Sequence, residues 1–164
     1  MLRLLKLILQ NPLSIFKLIY YWIHIISLKL KGEKTIVYNL HYSYFYDIFK
    51  DIYLQLSTKY YVYFSYNTKN EELKKYLLSQ PEVTYKKLIP NTISPFIPFN
   101  LFICAEITGP DFPIKILNTK KIQMYHGMGT YNLLSHIHVL KRFDIHFAMG
   151  KQHNEFFNRF LCND

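Results

Sequence analysis

The residues best suited to chemistry lie in the segment KKIQMYHGMGTYNLL, residues 120–134, where an apolar run ends at His126. A histidine exchanges a proton near neutral pH, so it can serve as a general base. Gly127 and Gly129 follow it and would let the backbone approach a ligand closely. Thr130 could cap a following helix, whose N-terminus attracts anions such as phosphate. The pattern indicates a base beside a phosphate-bearing group, but a simple turn histidine explains the spacing equally well.

His41 is a second candidate because it stands directly after another apolar run, KTIVYNL. If both runs are strands of a parallel sheet, their carboxyl ends lie at one edge and His41 faces the same cleft. The alternative is a loop histidine followed by core tyrosines. His136 and His138 do not form a metal pair, since helix positions two apart point in different directions. Adding His146 or His153 gives no familiar ligand spacing, so neither a metal nor a cofactor is expected.

The chain around these histidines alternates between strand-like and helix-like segments. Such alternation predicts an α/β fold, with a Rossmann-like parallel sheet covered by helices on both faces. In the first of these helices, Tyr44, Ile48, Ile52 and Leu56 fall along one face. The predicted strands span 34–40, 59–66, 82–89, 99–106, 120–126 and 143–150, and the predicted helices span 41–57, 70–80, 130–143 and a segment from 151 onward.

Residues 1–31 form a separate segment, because no acidic residue precedes Glu33. We predict two helices, at about residues 2–10 and 12–30, the second capped by Asn11. At about 100° per residue, the polar side chains of this segment fall in one narrow stripe beside a broad apolar face. The stripe consists of Arg3, Lys6, Gln10, Ser14, Lys17, Tyr21, His24 and Lys31.

The uncharged stretch from Leu18 to Leu28 is shorter than the roughly 20 apolar residues that cross a bilayer. A basic stripe beside a wide apolar face predicts amphipathic helices that lie in the membrane surface. The alternative is a helical hairpin folded onto the domain's own core or onto a second subunit.

Composition limits the remaining classes of protein. Of the 164 residues, 50% are hydrophobic and 18% are aromatic, which excludes an intrinsically disordered chain. The formal net charge of +9 suits either nucleic acid or an anionic membrane. The tyrosine-rich run KYYVYFSY could stack on bases, but there are only three arginines and no recognition motif, so nucleic acid is not favoured. The two cysteines, Cys104 and Cys162, indicate reduced thiols rather than a disulfide framework.

Two segments, KIQMYHGMG and FDIHFAMGKQHNEFF, resemble the N-terminal half of the CDP-glycerol glycerophosphotransferase family. The similarity consists of Gln123, Tyr125, His126 and Gly127 at a strand end, and of a later strand that ends in a small residue and leads into a helix. That family continues His-Gly with Thr-Pro and a lysine, whereas this chain continues with MGTY. The resemblance therefore does not extend to that lysine.

The resemblance implies a GT-B-type fold of two Rossmann-like halves with a cleft between them. Residues 32–164 would be the acceptor-side half, preceded by membrane-surface helices in 1–31. The nucleotide-binding half of the family lies C-terminal to this one, so we expect the chain to be truncated before it. An enzyme of this kind would be inactive until that half is supplied.

The resemblance also implies an activity, the transfer of glycerol phosphate from CDP-glycerol to a cell-wall or capsule polymer. His126 would take the proton of an acceptor hydroxyl, which attacks the phosphorus while CMP leaves. The expected partners are anionic membrane lipids, a polymer or lipid-linked acceptor, and a CDP-glycerol-type donor bound with the second half. The expected location is the cytoplasmic face of the cell membrane, as a peripheral protein. The alternatives are a non-catalytic membrane-surface binding domain of the same fold and a basic nucleic-acid-binding protein.

Overall fold

A six-stranded, all-parallel sheet forms the centre of this protein, for which the computed structural model describes residues 12–104, 113–114, 117–124, 134–148 and 150–161. The strand order is β3-β2-β1-β4-β5-β6. All six residues of β1 are buried, as expected where helices cover both faces of a parallel sheet. The strands are β1 Thr35–Leu40, β2 Tyr61–Tyr66, β3 Leu88–Pro90, β4 Leu101–Cys104, β5 Lys120–Met124 and β6 Ile145–Phe147.

Five helices accompany these strands in the described part of the chain. They are α1 Leu13–Leu30, α2 Ser43–Ser57, α3 Glu71–Ser79, α4 Ile137–Leu140 and α5 Lys151–Phe160. The core on one sheet face includes side chains of α2 and α3, and the core on the other includes those of α1. The predicted α/β fold, with a parallel sheet between helices, is therefore confirmed.

Three predicted elements are much shorter than expected, and one of them is the strand 143–150, of which only Ile145–Phe147 pairs with β5. The predicted strand 82–89 contains a 3₁₀ turn, Tyr85–Lys87, and only the three residues of β3 pair with β2. A very short strand is a common way to end a sheet, because it offers few unpaired backbone groups. The predicted helix 130–143 is also shortened, because the backbone of His136 is not helical (φ −111°, ψ 12°). Among its described residues, α4 is the continuous helix that remains. Residues 130–133 lie outside the described ones.

The buried face of α2 differs from the predicted one. Phe45, Tyr46, Phe49 and Tyr53 are its buried side chains, a stripe next to the predicted one. The predicted stripe is largely exposed at Tyr44, Ile48 and Ile52, and Leu56 is half-buried against the core. With aromatic or apolar residues on nearly every side of α2, periodicity alone could not select its buried face.

A polar anchor accounts for the orientation of α2. The Tyr46 hydroxyl donates to Glu82 Oε1 at 2.6 Å, and the Tyr53 hydroxyl donates to the same oxygen. Lys50 Nζ lies 3.6 Å from this carboxylate. The hydrogen bonds from Tyr46 and then Tyr53 are the main causes that lower the pKa of Glu82 to about 2. These bonds satisfy a carboxylate at the border of an otherwise aromatic core.

Helix α1 covers the opposite face of the sheet. Tyr21, Ile25 and Leu28 are buried there in the cluster that includes Val37 and Tyr63. Two side chains on α1 also donate to backbone carbonyls: Tyr21 through its hydroxyl to Leu88 at 2.9 Å, and Trp22 through Nε1 to Phe96 at 2.7 Å. Helix α1 begins and ends within a residue of the predicted helix 12–30. Asn11 and the predicted helix 2–10 lie outside the described residues.

Gly32 ends α1 in a left-handed conformation, with φ at 78°. The Glu33 N–H donates to the Leu28 carbonyl and the Gly32 N–H donates to the Lys29 carbonyl, each at 3.0 Å. This pair of bonds is a Schellman motif, which satisfies carbonyls at the helix end and favours glycine at the left-handed position. The helix is therefore closed before β1 begins.

Candidate functional site

The order of the strands marks one place on the sheet as a ligand crevice. From β1 the chain passes outward to β2 and β3, then returns to place β4 on the other side of β1. In open parallel sheets, ligands bind beyond the carboxyl ends of the strands at such a reversal. The carboxyl ends of β1 and β4, with β5 beside them, therefore form the candidate site.

His41 lies at this crevice, because it directly follows Leu40, the last residue of β1. Its side chain is half-buried. Its backbone carbonyl accepts a hydrogen bond from Asn70 Nδ2 at 3.2 Å, while Asn70 Oδ1 caps α3 by accepting from the Leu73 N–H. One asparagine therefore fixes both the loop after β1 and the start of α3. The predicted position of His41 at the carboxyl edge agrees with the structure.

Four of the five predicted site residues fall outside the described part of the chain, namely His126, Gly127, Gly129 and Thr130. The strand that precedes them, β5, ends at Met124, two residues before His126 in sequence. Because β5 pairs with β4 and β4 pairs with β1, that strand end belongs to the same edge as the end of β1.

A buried polar row crosses the sheet one residue below this edge. Asn39 is the registered partner of Ser65 on one side and of Cys104 on the other, and Cys104 is the partner of Gln123. Registered neighbours point to the same face, so all four side chains lie on the α1 side. We call Ser65, Asn39, Cys104 and Gln123 the polar row. Its signal in the sequence is a small or polar residue near the end of each apolar run, as in YFSY, VYNL, LFIC and KIQM.

The Asn39 amide links the polar row to His41. Asn39 Nδ2 lies 3.2 Å from His41 Nε2 and 3.8 Å from Cys104 Sγ. These two contacts engage both N–H groups of the amide, so Nε2 of His41 is an acceptor in this arrangement. For Nε2 to take a proton from a substrate, this contact with Asn39 has to break first.

Three side-chain atoms of the polar row are unsatisfied within the described part of the chain. Asn39 Oδ1 and both Gln123 amide atoms have no hydrogen-bond partner, although the two residues are 1% and 0% exposed. Leaving a buried amide group unpaired costs about 1–3 kcal/mol. Ser65 differs, because its hydroxyl lies 2.8 Å from that of Ser94. In the sequence, Gln123 stands out only as part of the motif before His126, and no local pattern singles out Asn39.

His146 extends the polar row by one strand, since it is the registered partner of Gln123 on β6. Its ring packs 5.0 Å from that of Phe157 on α5. Burial lowers the pKa of His146, against the opposing effect of a hydrogen bond with the Leu140 backbone. Two amides, a thiol, a hydroxyl and a histidine suit hydrogen bonding to a polar ligand. Within the described ranges no three metal-binding side chains converge.

A separate surface feature is the face of α1 turned away from the sheet. Seven large apolar side chains on this face are between 39% and 84% exposed. We call it the α1 outer face; it consists of Leu13, Phe16, Ile19, Tyr20, Ile23, Ile26 and Leu30. Contiguous apolar patches are rare on soluble monomers and mark sites that bind membranes or proteins.

The predicted polar stripe of this segment does not face the solvent as a unit. Ser14 and Tyr21, two of its members, are buried toward the sheet. Tyr21 can be placed there because its hydroxyl has a backbone acceptor. The apolar face is consequently the outward one.

Helix α1 is longer than the uncharged stretch from Leu18 to Leu28 that the sequence marks as too short to cross a bilayer. With 18 residues, α1 is the single helix in the described ranges that is long and apolar enough to cross a membrane. Signal sequences and buried core helices meet the same criterion, so length and composition do not distinguish these cases.

Comparisons with family models, curated proteins and solved structures give no match for this chain.

Proposed function

We propose that this chain is the acceptor-side half of a membrane-associated glycerophosphotransferase of GT-B type, which acts together with a nucleotide-binding half. The observation that carries the proposal is the all-parallel strand order β3-β2-β1-β4-β5-β6, with His41 at the reversal between β1 and β4. In sequence, His126 comes two residues after the end of β5, the strand beside β4. The proposed donor is a CDP-glycerol-type nucleotide and the proposed acceptor carries a free hydroxyl.

In the proposed reaction, His126 removes the proton of the acceptor hydroxyl as the oxygen attacks the donor's phosphorus. The bond between this phosphorus and the CMP oxygen breaks, and CMP leaves. His41 borders the same crevice, where Asn39 fixes its ring through the contact at Nε2. In the polar row, the Gln123 amide and Asn39 Oδ1 have no partner among the described residues, but both are buried, so a ligand hydroxyl reaches them only if the edge above them opens.

A second candidate function is a non-catalytic membrane-surface binding domain. The α1 outer face favours it, because this surface does not depend on any histidine. Nucleic-acid binding is less well supported than either. The tyrosine-rich run that could have stacked on bases forms β2, an interior strand whose residues from Val62 to Tyr66 are buried.

An assay of CMP release separates the first two candidates. In the presence of the nucleotide-binding half, a CDP-glycerol donor and a polymer acceptor, we expect His126→Ala to lower the rate at least about 100-fold. His138→Ala is the matched control, because His138 is exposed on α4. Wild-type release of CMP by the His126→Ala protein would overturn the catalytic role.

Flotation with liposomes tests the membrane part of the proposal. We expect Ile23→Glu to abolish flotation, because it places a charge at the centre of the α1 outer face. Thr68→Glu adds the same charge at an exposed position in the β2–α3 loop and should leave flotation unchanged. Deleting residues 1–31 is a poorer test, because Ile25 and Leu28 belong to the core. Undiminished flotation of the Ile23→Glu protein would contradict membrane contact through this face.

A further inference from the structure

A groove of about 560 Å³ lies beside α1, away from the crevice at β1 and β4. Tyr66 and Pro90, the last residues of β2 and β3, form part of its wall. The groove therefore lies at the same carboxyl edge of the sheet, at its outer end. Its volume is within the range of small-molecule sites.

The polar lining of this groove is cationic. Lys17 from α1, Lys74 from α3 and Lys86 from the turn before β3 all border it. No acidic side chain among the described residues lines it. Lys74 Nζ lies 3.3 Å from the exposed Glu71 carboxylate, while Lys17 and Lys86 are themselves exposed. Three lysines drawn from distant parts of the chain favour an anion, and lysine is a common phosphate binder.

The apolar lining connects the groove to the α1 outer face. Phe16 and Tyr20 belong to both surfaces. Tyr85, which is 70% exposed, also borders the groove. Tyrosine rings are enriched where membranes meet water, because one end of the ring is apolar and the other is polar. A ligand in the groove would therefore have its charge beside the lysines and its apolar part beside α1.

We propose that this groove binds the phosphate-bearing headgroup of an anionic membrane lipid, with the acyl chains extending along the α1 outer face. The charge of the lysines selects an anion, and the continuity with an exposed apolar helix selects a lipid over a soluble phosphate. The proposal rests on the proposed membrane contact of α1, but not on the transferase reaction. It assigns Lys74 and Lys86, which lie outside the basic N-terminal segment, to lipid selection.

Vesicle binding with paired variants tests this site. The probe is phosphatidylcholine vesicles with and without phosphatidylglycerol, and the variant is Lys74→Gln/Lys86→Gln. Each lysine near an anionic surface contributes about fivefold, so we expect affinity for the anionic vesicles to fall about 25-fold. Affinity for pure phosphatidylcholine should not change. Lys69→Gln/Lys75→Gln is the control, since both lysines are exposed and do not line the groove. The two substitutions remove the same amount of charge as those in the groove.

The outcomes separate this site from the membrane contact itself. If Ile23→Glu leaves binding to both vesicles intact, membrane contact through α1 fails, and this proposal fails with it. If Ile23→Glu abolishes binding but the groove pair loses no more affinity than the control pair, only the groove site is overturned. Soluble glycerol phosphate is the last arm. If the protein binds soluble glycerol phosphate as tightly as it binds the anionic vesicles, and if this binding depends on Lys74 and Lys86, the ligand is a free phosphate and not a lipid.

Discussion

The two faces of the sheet differ in how their most prominent polar side chains are paired. On the α2 side, the Glu82 carboxylate accepts from Tyr46 and Tyr53 and lies near Lys50. On the α1 side, the side-chain amide of Gln123 and the side-chain oxygen Oδ1 of Asn39 have no hydrogen-bond partner in the described part of the chain. A satisfied buried group stabilises a fold, whereas an unpaired one lowers stability and is retained where it serves something else. The difference indicates that the α2 side is built for stability and the α1 side, near the carboxyl edge, for binding.

One group on the α2 side is an exception. The Tyr38 hydroxyl is buried there and has no hydrogen-bond partner among the described residues. Burial raises the pKa of this phenol. The ring itself packs against those of Tyr53 and Phe64 at 6.4 and 6.2 Å, so Tyr38 still contributes apolar contact to this core.

The largest effect is expected from removing the centre of the α2 core. Phe64 is buried with ring contacts to Tyr38, Tyr46 and Tyr53 at 6.2, 5.7 and 5.2 Å. Phe64→Ala should lower the free energy of unfolding by about 3–5 kcal/mol, since it removes both the buried area and the contacts. Urea unfolding followed by circular dichroism measures this.

Ser65→Ala is the control for Phe64→Ala, because Ser65 is the next residue of β2 and points to the opposite face. It removes one hydrogen bond, to Ser94, and should cost about 1 kcal/mol. Equal losses for the two variants would contradict the division of roles between the faces.

A smaller and pH-dependent effect is expected at Glu82. Its pKa is about 2 in the folded protein, below the ordinary 4.5, so the folded state binds fewer protons than the unfolded state. The stabilisation is therefore complete above about pH 4.5 and is lost as the pH falls toward 2. We expect Glu82→Gln to cost about 1–2 kcal/mol near pH 7, a value reduced because the side chain is partly exposed. The cost should shrink in unfolding experiments near pH 3.

Glu155→Gln is the matched control for this measurement. Glu155 forms an exposed i,i+4 pair with Lys151 at 3.8 Å, of a kind that contributes less than about 0.5 kcal/mol. The cost of Glu82→Gln could instead be the same at pH 7 and pH 3. That result would show that the hydrogen bonds from Tyr46 and Tyr53 do not stabilise the charged form of Glu82.

The sequence predicts those parts of the fold that depend on local pattern. Strands β1, β2 and β5 and helices α2 and α3 lie where alternation and β-branched runs place them, within one to three residues. The buried face of α2 could not be predicted, because Tyr46 and Tyr53 are selected by a carboxylate about 30 positions away. The polar row depends on strand order and register, which are set by long-range pairing. His41 could be placed because its position follows from the end of a single strand.

The smallest change in stability, and the one most specific to the α1 side, is expected from Gln123→Leu. The substitution removes a buried amide without removing a hydrogen bond among the described residues, so the free energy of unfolding should stay constant or rise by about 1 kcal/mol. Asn39→Leu is the comparison, because that amide donates toward His41 and Cys104, and it should cost about 1 kcal/mol. A loss above about 1 kcal/mol for Gln123→Leu would mean that the amide stabilises the free protein. Gln123 would then resemble Glu82, and an unpaired amide could no longer support a ligand crevice at this edge of the sheet.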